Sequence, residues 1–154
     1  MTAYFLDSSG LVKRYAKEKG TAFVIGLLKP SGRNQLYAAR IAFVEVISAL
    51  ARRQRGGSLN ASQLAKSISR FRRLYKKQFR ILEIDEPVAD EAARLAEQYF
   101  LRGYDAVQLA AALEVARIRV QSGASPLIFV SADNNLNNAA QAKGLAVENP
   151  NNYP

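Results

Sequence analysis

Four carboxylates stand apart from the other charges of this 154-residue chain. Asp7 closes the apolar run Tyr4-Phe5-Leu6. Glu45 is the one charge in "IAFVEVISAL", Asp105 opens the otherwise uncharged "YDAVQLAAAL", and Asp133 ends "LIFVSAD". A carboxylate among apolar neighbours is costly to ionise unless it is paired or binds a cation. Each has an ordinary structural explanation: Asp7, Asp105 and Asp133 as helix N-caps, Glu45 as half of a buried salt bridge. If the four meet in space, their mutual repulsion raises some of their pKa values, and a divalent cation relieves it. Hard oxygen ligands suit magnesium or manganese. A cation held there could activate water and stabilise the leaving oxygen of an in-line attack on a phosphodiester.

The rest of the composition narrows the chemistry. There is no histidine and no cysteine, which excludes a Ser-His-Asp triad, a histidine- or thiolate-bound metal and a disulfide. Catalysis is left to carboxylates, Lys, Tyr, Ser or an oxygen-ligated metal. The net charge is +9 and the isoelectric point is about 10.0. The stretch Arg52–Arg80 carries ten basic residues and no acid. Such a surface points to a polyanionic partner: nucleic acid, an acidic protein segment or an anionic membrane. The plainer alternative is that Arg52, Arg53 and Arg55 complement a helix C-terminus and that Lys66, Arg70, Arg73 and Lys77 form a solvated face. No apolar run approaches the roughly 20 residues that span a bilayer, and no signal peptide opens the chain. The expectation is a cytoplasmic protein with no membrane association.

The elements that must position these acids are short strands alternating with helices. Apolar runs predict strands at 3–6, 36–38, 81–84, 127–130 and 146–147. Helical periodicity predicts helices over 10–17, 21–28, 41–53, 61–77, 86–100, 105–121 and 136–143. No linker divides residues 1–154, so a single domain is expected. The alternation implies an α/β fold, its parallel sheet covered on both faces. In such folds the functional crevice lies beyond the carboxyl ends of the strands. Asp7 follows directly on the first predicted strand, and Asp133 closes the Ser131-Ala132-Asp133 turn after the fourth.

Four blocks, "YFLDSSGLVKRY", "FVEVISALARR", "YDAVQLAAAL" and "FVSADNNLNNAAQAKGLAVENP", occur in the order found in PIN-domain ribonucleases. The chain resembles that family over nearly its whole length, and most closely its VapC-type toxins. The resemblance implies a three-layer α/β/α sandwich with a short, mostly parallel central sheet. It implies a pocket binding Mg2+ or Mn2+ that cleaves RNA to 5′-phosphate and 3′-hydroxyl ends. Asp7, Glu45, Asp105 and Asp133 fall on the family's acidic quartet. On this reading Asp7, Asp105 and Asp133 hold the metal, Glu45 completes the pocket, and Ser9 hydrogen-bonds a water or phosphate beside it. The family also implies a homodimer, neutralised by a cognate antitoxin of the VapB type. Three positions depart from the family's usual pattern: Gly10 stands where Ala is common, Ala39 where Ser or Thr is frequent, and Gln108 where His is frequent.

Two other readings compete. A binding module with a PIN-like fold and no catalysis would use the basic 61–77 helix to hold RNA or protein. Phosphoryl transfer to or from a small molecule would also place an aspartate at a strand end. Haloacid-dehalogenase-like phosphatases want a second Asp two residues on, however, where this chain has Ser9, and receiver domains want an acidic pair that Leu6-Asp7 does not supply.

Overall fold

The apolar runs assemble into one sheet. In the structure, a computed structural model describing residues 1–154, five strands pair in the order β3-β2-β1-β4-β5. They are β1 (Ala3–Leu6), β2 (Gln35–Ala39), β3 (Phe79–Leu82), β4 (Leu127–Val130) and β5 (Ala146–Glu148). Every pairing is parallel, so the sheet is wholly rather than mostly parallel. Seven helices connect the strands: α1 (Ser8–Val12), α2 (Thr21–Leu27), α3 (Arg40–Arg55), α4 (Ala61–Gln78), α5 (Glu86–Tyr99), α6 (Gly103–Gln121) and α7 (Asn134–Ala142). None is long and apolar enough to cross a membrane.

Parallel strands buried on both faces need two cores, and two are present. Ala3, Phe5, Leu127 and Phe129 pack under α5, α6 and α7. Leu6, Leu36, Ala38 and Val130 pack against the other layer, from α1 to α4. The side-chain period of two sends neighbours such as Phe5 and Leu6 to opposite layers. Across the β1–β4 register Phe5 lies opposite Phe129, their ring centroids 5.9 Å apart. In the second layer Phe43, Phe71, Tyr75 and Phe79 form a chain of aromatic contacts that locks α3 to α4.

The strand order places the site. From β1 the chain steps outward to β2 and β3, then crosses back to lay β4 on the other side of β1. The sheet therefore reverses direction between β1 and β4. A crevice opens at such a switch point, outside the carboxyl ends of the strands. Asp7 leaves β1 and Ser131 leaves β4 at this point.

Several boundaries differ from the sequence expectation. The first helix is Ser8–Val12, not 10–17. The Asp7 carboxylate caps it earlier, and the Thr21 hydroxyl donates to the carbonyls of Lys13 and Ala16, which a longer helix would need. The third strand begins at Phe79 because α4 runs straight into it and the Phe79 ring completes the aromatic chain. The last helix starts at Asn134, where Asp133 caps it. The helix carrying Asp105 starts at Gly103, so Asp105 lies in its first turn and is not its cap.

Candidate active site

Asp7 is the most enclosed of the four acids, with 2% of its surface exposed. Its backbone N–H donates to the Val130 carbonyl at 3.1 Å, which ties the end of β1 to the end of β4. One carboxylate oxygen accepts from the Gly10 N–H at 2.8 Å and the other from the Ser131 hydroxyl at 2.8 Å. The Ser9 hydroxyl lies 2.7 and 2.9 Å from the two oxygens and shares its one proton between them. Burial pushes the Asp7 carboxyl up to about 7, against these hydrogen bonds, and the Glu45 charge adds to the rise. Gly10 has a steric reason as well: a Cβ there would sit 3.0 Å from the Val130 carbonyl oxygen and 3.4 Å from the Asp7 carboxylate. With the alanine usual at this position, the Val130 carbonyl, itself tied to the Asp7 N–H, would have to give by a few tenths of an ångström.

Ser131 extends the network. Its oxygen accepts from the Asp133 N–H at 3.1 Å, and its carbonyl accepts from the Asn137 side-chain amide at 2.8 Å. The Ser9 oxygen accepts from the Ala132 N–H at 2.9 Å. The turn after β4 is thus fixed to the turn after β1. Asp133 caps α7, one oxygen accepting from the Leu136 N–H at 2.9 Å; its other oxygen has no protein partner. Asp105 has no hydrogen-bond partner in the chain. Burial raises its pKa first, and the Asp133 and Glu45 carboxylates raise it further, with Arg102 opposing them.

Glu45 brings the two helical layers together. One oxygen accepts from the Ser8 hydroxyl at 3.1 Å and the other from the Gln108 amide at 2.7 Å. The buried salt bridge that its sequence context allowed does not form, and neutral donors take its place. Gln108 is 1% exposed, and its amide oxygen has no partner. None of the five ion pairs in the chain involves any of the four acids. A groove of about 390 Å³ runs beside Glu45, lined also by Ser8, Ser9, Tyr104 and Arg52. A larger cavity of about 510 Å³ lies between α5 and α6, but its charged walls neutralise one another through the Arg94–Glu91 and Arg117–Glu114 pairs. In the first groove Glu45 forms no ion pair, and Arg52, the one cation in its lining, donates to the Ser48 hydroxyl instead.

Residues 4–141 match the family described as PIN domain. The chain belongs to the PIN-domain family. It is 31% identical over 147 residues to the ribonuclease VapC45 of Mycobacterium tuberculosis, covering 96% of this chain and 95% of that one. The fold matches VapC20 of Mycobacterium tuberculosis, a toxin that cleaves the sarcin–ricin loop, with TM-score 0.62 and 14% identity over 98% of this chain and 99% of that chain. It also matches a toxin–antitoxin complex from Klebsiella pneumoniae, with TM-score 0.61 and 17% identity over 96% of this chain and 97% of that chain.

In this PIN domain no three acidic side chains converge closely enough to hold a metal ion by themselves. The donor chemistry nevertheless fits a hydrated dication, because magnesium typically takes only one or two carboxylates and completes its octahedron with water and substrate oxygens. Asp105 and the outer oxygen of Asp133 are the carboxylate groups with no protein donor. Asp7 has both oxygens engaged, and the shared Ser9 proton is the contact that must turn away for Asp7 to accept more. Ser8, Ser131 and the Gln108–Glu45 bond were not part of the sequence reading. Ser131, two residues before Asp133, and Gln108, three after Asp105 on one helical face, carried a local signal; Ser8 carried none beyond its place next to Asp7. Ala39 turns out to be the N-cap of α3, with no side-chain cap bond. A Ser or Thr there would cap the helix that carries Glu45.

Proposed function

We propose that this PIN domain is a metal-dependent endoribonuclease of the VapC type, acting as a toxin neutralised by a cognate VapB-type antitoxin. The feature that supports the reading most is four carboxylates that form no ion pair in a chain with net charge +9, Asp7 feeling the charge of Glu45, and Asp105 those of Asp133 and Glu45. The similarity to ribonuclease VapC45 supports the activity. The fold match to a solved toxin–antitoxin complex is in keeping with the partner.

Asp7, Asp105 and Asp133 would hold Mg2+ or Mn2+, directly or through water. When bound, the dication acidifies water and offsets charge developing on the phosphate oxygens. The residues do the rest. Glu45, held by Ser8 and Gln108 from opposite layers, orients the attacking water and takes its proton. The Ser9 hydroxyl, released from Asp7, donates to a phosphate oxygen. Attack at phosphorus forms the new P–O bond and breaks the bond to O3′, which takes a proton from solvent as Glu45 returns its own to solvent, giving a 5′-phosphate and a 3′-hydroxyl. The buried Asp7 and half-buried Asp105 keep their charges poorly solvated, so each gains more from a cation than an exposed carboxylate would. The homodimer and the cytoplasmic location belong to the same proposal.

The test is incubation of purified protein with structured RNA in Mg2+, in Mn2+ and in excess chelator, with Asp105→Asn alongside. Cleavage with 5′-phosphate ends is expected only for the wild type with metal. Undiminished cleavage in chelator, or by the variant, refutes the mechanism. Growth arrest on induction, lost in Asp105→Ala, tests the toxin role.

A further inference from the structure

The helix that carries Glu45 has a second pocket on its other side. Arg40 and Phe43 of α3, Arg72, Tyr75 and Lys76 of α4, and Ile81 of β3 enclose about 440 Å³. Three cations and two aromatic rings line it, and no acid does. Arg40 is spoken for: it forms a bidentate pair with Glu83. Arg72 and Lys76, one helical turn apart, form no ion pair. The Arg72 guanidinium lies over the Phe43 ring, 5.1 Å from its centroid. That contact holds the guanidinium at the pocket wall, and none of its N–H groups is taken by a carboxylate, so they remain available to phosphate oxygens. The Tyr75 hydroxyl donates to the Ala39 carbonyl at 2.7 Å, so the floor is rigid.

We propose that this pocket is a second contact for single-stranded RNA, in which Arg72 and Lys76 take backbone phosphates next to the stretch being cut. The inference rests on the ribonuclease reading and says where the strand goes. Phe43 and Glu45 are two residues apart, about 3 Å along the helix axis but on opposite flanks of a cylinder about 10 Å wide. Between the flanks lies an open ridge on which Val44 is 60% exposed. A strand leaving the groove beside Glu45 crosses that ridge and meets the two unpaired cations. Their charge suits a polyanion; the rings of Phe43 and Tyr75 are taken up by Arg72 and by the aromatic chain, so the contact is to backbone phosphates and not to bases. The outward stripe of Lys66, Arg70, Arg73 and Lys77 has no such walls and supplies only a diffuse field.

The test is binding of fluorescein-labelled single-stranded RNA in chelator, measured by anisotropy across a salt series with the Asp105→Asn protein. Arg72→Ala/Lys76→Ala should weaken binding roughly tenfold at low salt and flatten the log–log salt slope by about 1.4, two phosphates at about 0.7 each. Lys66→Ala/Arg70→Ala removes the same charge from the outer face and should change both far less. Equal effects from the two pairs would reduce the pocket to part of a diffuse field and overturn the proposal. Unchanged RNA binding combined with lost affinity for polyglutamate would make it a protein-docking site and overturn it equally. The outcomes separate from the activity: RNA binding that depends on Arg72 and Lys76 in a protein that never cleaves leaves the site standing and removes the nuclease. Cleavage by the wild type with no effect of the pair does the reverse.

Discussion

Asp7→Asn tests whether the acid at the switch point is held as an uncompensated buried charge. Burial lifts its carboxyl from 3.8 to about 7. A raised carboxyl pKa means that the native state binds the proton more tightly than the unfolded chain. Its stabilising effect is therefore complete below about pH 4 and is lost as pH rises through 7. At about 1.4 kcal/mol per pH unit the loss reaches ~4 kcal/mol by pH 8. Asparagine keeps the shape without the charge. It retains one acceptor oxygen for Gly10, and its amide can donate to Ser9 or Ser131, whose hydroxyls accept as well as donate. Allowing ~1–2 kcal/mol for a poorer hydrogen-bond set, the variant should exceed the wild type by ~2 kcal/mol at pH 8 in chelator, or ~4–8 °C in Tm for a chain of this size. At pH 5, where native Asp7 is protonated, most of the gain should vanish. Excess Mg2+ should narrow the gap at pH 8, because only the wild type gains from binding it there. Urea unfolding at the two pH values, with and without metal, makes the measurement. A variant less stable than the wild type at pH 8 in chelator, or an equal difference at both pH values, would refute the reasoning.

Three further substitutions probe the supporting residues. Ser131→Ala removes a donor to Asp7 and the acceptor for the Asp133 N–H, so it should lower stability by ~1–3 kcal/mol and cut cleavage of RNA with fold intact by circular dichroism. Gly10→Ala places a methyl 3.0 Å from the Val130 carbonyl and should cost ~1–2 kcal/mol in thermal unfolding, despite the better helix propensity of alanine. Gln108→Leu takes one of two donors from Glu45 but also removes the orphaned amide oxygen. Stability should stay within ~1 kcal/mol while kcat falls by roughly tenfold or more with KM little changed, the signature of lost transition-state positioning.

Where the sequence spoke clearly, a local pattern carried the information. Four-residue apolar runs ending in a polar residue marked β1 and β4, and the carboxylates after them cap the helices that follow, Asp7 for α1 and Asp133 for α7. The predicted starts of α4 at 61 and of α5 at 86 agree with the structure, where a capping box, Asn60 with Gln63, and an Asp85 cap with Pro87 in the first turn set them. Asp105 was misplaced by two residues because α6 begins after Arg102 with no side-chain cap and so gives no start signal. The site partners were hidden for a different reason. Ser131 reaches Asp7 across 124 residues of sequence and Gln108 reaches Glu45 across 63. Both bonds follow from the β1–β4 pairing and from the meeting of two layers above the sheet, which no window of periodicity contains. Likewise the stripe of Lys66, Arg70, Arg73 and Lys77 was visible as a helical face, whereas the pocket that Arg72 and Lys76 line exists only because α3 packs beside α4.

What the site lacks is as informative as what it holds, given how many cations this chain has. The chain has 22 Lys and Arg residues to 13 acids, so a basic partner for each of the four carboxylates would be easy to supply. Yet Glu45 is held by a serine and a glutamine, and Asp7 by two serines and a backbone N–H. Neutral donors orient a carboxylate without cancelling its charge, whereas a resident Arg would satisfy it permanently and exclude any other cation. The arrangement costs native stability, as the raised Asp7 and Asp105 pKa values record. A structural role alone does not account for that cost, since capping α1 and α7 could be done by Asn or Ser at similar strength. A site that must attract a dication does account for it. Replacing Gln108 with Arg should then mimic the missing counter-charge: the protein should gain stability in chelator and lose its response to Mg2+, and a variant that kept that response would show that Glu45 stands outside the cation's field.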